Sequence, residues 1–411
     1  MSLNVRIAWR NLWRNRRRTW LTAGGISFAI FLVVSAMSLQ LGQYDVMIEN
    51  ATSMMVGHIQ LQDERYIEER HFEDTVPEAS QLISILSREP KIASIAPRVE
   101  LFALASVGER SFGVQVFGVD WEAERNTVSF LKFVKTGRIP VADHETIIGS
   151  TLARNLGVSI GDEIILLGAA KRAGVGAMAV TIVGLFETNF PEIDRNMVWV
   201  SLGGVREGFG LGDEFHSLII RTFDVSNSLE VRNALEKKLA SHDPRSNVVI
   251  RDWPEIMPEI NQMIDIDRLS AEIMYLLLEL IVVFSVINSF IIIVFERTKE
   301  FGMLIAIGMK PKDILWLVQW EAFFGWVIGM VVGVSLSCLL ILWLTRTGIP
   351  LPSDLQELAA QMFMPSRIYP AFSTEAIFTA PLILLVGTQF AAFISSIRIL
   401  YMRPIEVLRG K

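Results

Sequence analysis

Cysteine is almost missing from this chain of 411 residues: Cys338 is the only one, and it falls in an uncharged apolar run. No intrachain disulfide can form, and cysteine-ligated metal clusters and C-x-x-C redox chemistry are excluded. Histidine is sparse too, and no two of His58, His71, His144, His216 and His242 stand at metal-ligand spacing. No G-x-S-x-G turn presents a serine nucleophile. The glycine-rich "GAAKRAGVG" lacks the G-x-x-x-x-G-K-[ST] order of a nucleotide loop. No catalytic residue and no metal ligand is assigned, so a non-catalytic chain without a cofactor of its own is expected.

Charge is missing from long stretches. Thr19 to Tyr44, Ala322 to Thr345 and Ala376 to Ile397 carry none, and Tyr275 to Phe295 carries only Glu279. A helix needs about 20 apolar residues to cross a bilayer, and lipid offers no partner to backbone groups outside a helix. Uncharged runs of this length are too long for buried helices of a soluble core, so four membrane spans are expected. The first follows six arginines (Arg6, Arg10, Arg14, Arg16, Arg17 and Arg18), in the manner of a signal peptide. Its apolar run exceeds the about 7–15 residues of a signal h-region, and it is read as a retained span.

Orientation follows from the positive charges beside the spans. The N-terminal arginines, the group Arg297, Lys299, Lys310 and Lys312, and the tail bearing Arg398, Arg403, Arg409 and Lys411 all mark the cytoplasmic side. Between the third and fourth spans Arg346 and Arg367 face Asp354, Glu357 and Glu375, which marks the outside. Both termini are therefore expected on the cytoplasmic side of the membrane. The expected layout is an interfacial helix over residues 1–18, with spans at 19–44, 272–295, 314–345 and 374–397. A cytoplasmic helical segment covers 296–313, an outer loop 346–373 and a cytoplasmic tail 398–411.

Residues 45–271 then form a large extracytoplasmic domain. From Asp45 to Glu272 there are 22 Lys/Arg against 35 Asp/Glu, a balance of −13 where the whole chain carries −6. An acidic outer domain excludes nucleic acid as a partner, and the remaining basic rim suits anionic lipid headgroups. Alternating patterns predict strands in "GHIQLQ", "IASIAPRVELFALASVG" and "SFGVQVFGVD", with a helix in "PEASQLISILSRE". The order returns in "HSLIIRTFD", "SNSLEVRNALEKKLASH" (capped by Ser226 or Asn227) and "NVVIRDW". Two strand-helix-strand units thus flank an insertion of about 120–206 that reads as strands and turns. The fold class is an α-helical membrane protein with four spans and an α/β outer domain of two βαβ-containing halves around an inserted β-rich lobe.

Glu279 and Glu321 are acids within spans. Such groups are costly in lipid; each is expected to reach an interface or to pair with a neighbouring base, since a proton relay needs more acids than these. Gly325, Gly329 and Gly333 recur every four residues, a helix-packing pattern. In "NVRIAWRNLWRNRRRTW", Val5, Trp9, Leu12 and Trp13 share one side of a helix lying at the membrane surface. "FERTKEFGMLIAIGMKPKDI", Phe295 to Ile314, is richer than a simple connection requires. Its apolar spacing predicts a short helix, and Pro311 starts the next one, where its missing N–H costs little.

That stretch resembles the E-R-x-x-E-[IF]-G-x-L-x-A-x-G motif of the FtsX-like group of ABC transporter permeases, which includes lipoprotein-release (LolC/LolE-type) and macrolide-exporter (MacB-type) members. "WEAFFGWVIGMVVG", "AWRNLWRNRRRTWLT", "IRILYMRPIEVLRG", "TIIGSTLARNLGVSIGDEI" and "VTIVGLFET" carry the likeness through all four spans and the outer domain. Phe301 stands where isoleucine is commoner, a conservative departure, and no nucleotide-binding domain of the MacB kind is attached. The resemblance implies a porter-like lobe with an inserted β lobe. It also implies a coupling helix on which Glu296, Arg297, Glu300, Gly302, Met303, Ala306 and Gly308 meet a separate ATP-binding subunit of the LolD or MacB type. ATP would be bound by that partner. The other implied partners are an identical or homologous permease subunit, a periplasmic lipoprotein carrier or adaptor, and membrane lipids. Lipoprotein release is the function implied first, with drug or peptide efflux and activation of a cell-wall hydrolase as the alternatives.

Overall fold

The membrane-facing helices follow from the four apolar runs. A computed structural model describes residues 3–400 apart from 15, 172–173, 189, 243–246, 355, 357–358, 360–362 and 365. The basic tail expected beyond residue 400 lies outside the described residues. The chain forms two compact units; Met1–Asp45, Met263–Leu351 and the stretch from Ser366 onward make the first. Its helices are α1 (Leu3–Arg14), α2 (Arg16–Ala51), α3 (Pro258–Glu296), α4 (Thr298–Ala306), α5 (Pro311–Thr347) and α6 (Thr374–Leu400). Four of them, α2, α3, α5 and α6, are long and apolar enough to cross a membrane. Helices α2 and α3 run past the stretches that hydropathy alone marks out: α3 starts at Pro258 and α2 continues to Ala51.

Small residues set the closest helix approach. A Cβ at Gly329 would lie 2.8 Å from Ile26 Cγ2, and one at Gly333 would lie 2.7 Å from the Ser27 carbonyl oxygen. One turn on, Ser337 Oγ donates to the Phe31 carbonyl at 3.2 Å. The four-residue spacing of Gly329, Gly333 and Ser337 thus seats α2 on α5 within one chain. Gly325 has no atom within 4 Å of such a Cβ and serves no close approach here. Gly333→Leu is expected to destabilise the purified protein by about 1–3 kcal/mol, because the backbone it meets cannot yield as a side chain can. A melting curve matching that of the unaltered protein would show that the helices pack elsewhere.

The second unit, Val46–Gln262 with Pro352–Pro365, is built on one sheet of ten strands. These are β1 (Ile59–Asp63), β2 (Ile92–Val107), β3 (Arg110–Val119), β4 (Val134–Gly137) and β5 (Glu145–Gly149). They continue as β6 (Glu163–Ala169), β7 (Val175–Phe186), β8 (Met197–Ser201), β9 (Ser217–Thr222) and β10 (Val248–Asp252). Their order is β10-β1-β9-β2-β3-β8-β5-β7-β4, and β6 pairs with both β2 and β7.

Both expected strand-helix-strand units are present in split form. β1 and β2 are joined through the helix Ala79–Leu86 and lie on either side of β9, antiparallel to it. β9 and β10 are joined through the helix Ser228–His242 and flank β1. Leu82, Leu86, Val231, Leu235 and Leu239 close over Ile59, Leu61, Leu218 and Ile220 as one core. The helix over 228–242 is preceded by a tight turn, Val225–Asn227, which Asp224 caps by accepting from the Ser226 N–H at 2.9 Å.

The inserted lobe is less purely β than its turn-rich composition suggests. It holds the short helices Trp121–Thr127, Ser150–Leu156, Pro191–Asn196 and Leu202–Phe209. Its own core is formed by Val180, Ile182, Val198, Val200 and Phe209. β2 belongs to both lobes: Ser217 to Thr222 pair with its first half, and Ile165 to Gly168 pair with its Ala103 to Ser106. At the join, the buried Arg98 guanidinium meets Glu124 and lies 5.2 Å from the Trp199 ring.

Candidate functional site

The segment between α3 and α5 is the candidate site, and its geometry begins with a break in the helix. Arg297, at φ −95° and ψ 9°, departs from α-helical geometry and separates α3 from α4. At the far end Gly308 takes φ +107°, which favours glycine. There the Met309 N–H reaches the Leu304 carbonyl and the Gly308 N–H the Ile305 carbonyl, both at 3.0 Å. That pair of bonds is a Schellman cap. Gly308 therefore ends α4; a Cβ there would meet nothing within 4 Å, so backbone conformation and not space requires the glycine. Lys310 is extended and Pro311 opens α5.

The charged residues of the segment are used mostly within the chain. Arg297 is 6% exposed. Its Nη1 donates to both Glu321 oxygens at 2.9 and 3.0 Å, and its Nε to Glu300 at 2.9 Å. Arg14 of α1 donates to the same Glu300 carboxylate at 2.8 and 3.0 Å. Asn11 of α1 donates to Glu321 at 2.6 Å. The Arg297 guanidinium also lies 5.0 Å from the ring of the fully buried Phe301. One guanidinium thus ties α1, α4 and α5 together, and Glu321 meets a neighbouring base, as its position in a span requires.

The hydrogen bond from Arg297 holds the Glu300 carboxyl below the usual carboxylate range, with Arg14 adding to the effect and burial opposing it. A lowered value in the folded state means that this strut is intact at neutral pH and is lost only as acid protonates Glu300. Near α1 the packing is aromatic: Trp9 stands 5.2 Å from Phe324, edge to face, while Ala8 and Leu12 are buried. The helix α1 covers Ala8 and Leu12 and leaves Trp9 and Trp13 exposed, so the side that Val5, Trp9, Leu12 and Trp13 were expected to share is divided.

The residues singled out on the motif divide into two sets. Arg297 and Gly302 turn inward, beside Phe301. Glu296, Glu300, Met303, Ala306 and Gly308 are exposed, together with Lys299, Ile307, Lys310 and Lys312. Met303 is 56% and Ile307 79% exposed, side by side with Ala306. α4 therefore presents an apolar strip, Met303, Ala306 and Ile307, bordered by lysines. Glu296 lies in a groove of about 630 Å³ with Arg14, Arg16 and Arg17. Sequence reasoning missed Asn11 and Arg14; they lie 310 and 286 positions from their acidic partners, and no local spacing signals such a pairing.

Comparison with known proteins gives two matches to families. The MacB-like periplasmic core domain matches residues 19–238, more than half of the chain, and the FtsX-like permease C-terminal region matches residues 272–404. The chain is similar to the lipoprotein-releasing system transmembrane protein LolC of Neisseria meningitidis serogroup B, at 25% identity over 65% of this chain and 66% of that protein. It is also similar to the macrolide export ATP-binding/permease protein MacB of Bordetella avium, at 21% identity over 79% of this chain and 50% of that protein. The chain thus spans about two thirds of the LolC relative and half of the MacB relative. The periplasmic region of MacB from Actinobacillus actinomycetemcomitans aligns over 52% of this chain and 97% of that one, with 15% identity and a TM-score of 0.39.

Proposed function

Because the chain belongs to the permeases that join a MacB-like periplasmic core domain to an FtsX-like C-terminal region, we propose that it is the membrane subunit of an ABC transporter. The observation that carries this reading is the division of charge and apolar surface on α4. Arg297, Glu300 and Glu321 are engaged with one another, while Met303 and Ile307 stand exposed beside Lys299. A connection between spans has no use for exposed apolar side chains unless something seats on them. The seat is for a separate ATP-binding subunit in the cytoplasm of a bacterial cell. ATP is bound and hydrolysed there, and this chain carries no catalytic group. The termini and the α4 segment lie on the cytoplasmic side of the inner membrane, and the sheet unit lies in the periplasm. The four candidate spans among the described residues are too few to enclose a pathway, so the working unit pairs this chain with a second copy or a homologue.

The named relatives support two readings of the cargo. Likeness to LolC supports release of lipoproteins from the membrane, received by a periplasmic carrier. The MacB likeness covers more of the chain and supports efflux through a periplasmic adaptor as the second reading. Reconstitution into proteoliposomes with the cognate ATPase separates them. ATP-dependent release of a lipid-anchored protein to a soluble acceptor is the expected result. Extrusion of a small amphiphile without any lipoprotein release would favour the second reading. If neither occurs and a cell-wall hydrolase is instead activated, the transport reading fails.

A further inference from the structure

Glu279, unlike Glu321, meets no base among the described residues. It lies in the middle of α3, is 2% exposed, and its Oε2 has no hydrogen-bond partner among the described residues. Buried polar groups are nearly always satisfied, and an acid in a membrane span is retained for a reason or lost. Beside it is a groove of about 460 Å³ between α3 and α6, lined by Leu276, Leu280, Val283, Leu382, Val386 and Phe390. The row 276, 280 and 283 covers about 10 Å of helix at 1.5 Å per residue. Leu276, Leu280, Leu382 and Val386 are open on the outer side of the groove, as lipid-facing residues are. The floor is made by close approach at Gly387, where a Cβ would lie 2.3 Å from Val283 Cγ2.

We infer that this groove binds a cationic amphiphile, an ammonium group carried on an alkyl chain. A single carboxylate in an otherwise apolar wall does not fit a metal ion, which needs several hard ligands. It also does not fit an anion. An ammonium donates to the unsatisfied oxygen and neutralises its charge, while the alkyl chain covers the leucines and Phe390. The same chemistry is met in the headgroup of phosphatidylethanolamine and in a free single-chain amine. The site is independent of whatever subunit meets α4, so it stands or falls apart from the transporter reading.

The test uses the full chain in phosphatidylcholine nanodiscs and tritiated dodecylamine, counted above the amount held by empty discs. Saturable binding is expected, and Glu279→Gln should weaken it at least tenfold while leaving retention of dodecanol unchanged. Val386→Trp, which fills the groove without touching the carboxylate, should weaken both probes. Competition by phosphatidylethanolamine assigns the site to a lipid headgroup; no competition assigns it to a free amine. Equal binding of dodecylamine by the Glu279→Gln variant, or dodecanol retained as tightly as the amine, overturns the proposal. So does an absence of binding because a second copy of the chain covers the groove.

Discussion

Arg297→Ala is expected to destabilise the purified protein by about 3–5 kcal/mol, the cost of leaving a buried charge unpaired. Among the described residues the guanidinium is the one cation on Glu321, and only Asn11 would remain of the hydrogen-bond donors to that carboxylate. It also holds Glu300, which Arg14 of α1 would then retain alone, so the variant loosens α4 from α5. Arg297→Met combined with Glu321→Leu removes both charges and keeps much of the volume. It should recover most of the lost stability, since replacing a buried pair by apolar groups is often neutral. Thermal melting in detergent reads both variants. If Arg297→Ala melts as the unaltered protein does, or the double variant melts no better than the single one, the pair is not the strut proposed.

The second large effect concerns the exposed strip. Met303→Asp with Ile307→Asp should cost at least a hundredfold in affinity for the ATP-binding subunit, with the melting temperature unchanged. Full burial of one such side chain is worth about 1.5–3 kcal/mol, so losing two at an interface accounts for that factor before the penalty of desolvating two carboxylates. Unchanged melting is the distinguishing readout, because both side chains are exposed in the chain alone. Normal affinity in this variant would place the seat elsewhere on the cytoplasmic side.

These two predictions separate what is legible in the sequence from what is not. The spans follow from composition, because uncharged runs of that length have few alternative fates in water or lipid. The split βαβ halves follow from periodicity, since the helix Ala79–Leu86 carries an apolar stripe and β1, beside β9, alternates apolar and polar residues in sequence. The short helices Ser150–Leu156 and Pro191–Asn196 do not, because six or seven residues hold too few turns to display a period. The sharing of β2 between lobes is also hidden, since pairing of Ala103 with Gly168 depends on chain closure and not on local pattern.

At the candidate site the motif residues were visible, but their directions were not. By the resemblance, Arg297 and Glu300 were both expected to meet a separate ATP-binding subunit. In the fold Arg297 turns inward because Glu321, 24 positions on, needs a counter-charge within the membrane-facing unit. The motif does not tell that Gly308 ends a helix, which its left-handed backbone shows. The apolar residues between the charges, Met303 and Ile307, are the ones left for an outside surface.

The central claim is that α4 seats on a separate ATPase, and the chain's lone cysteine makes a direct measurement simple. In a Cys338→Ser background, Met303→Cys and Ile307→Cys are each labelled with a benzophenone maleimide in membranes containing the ATPase and then irradiated. Phe102→Cys, exposed on the sheet unit, serves as the control. Adducts of permease with ATPase from positions 303 and 307, and none from 102, are the predicted result; ATPase adducts absent from both α4 positions would contradict the account.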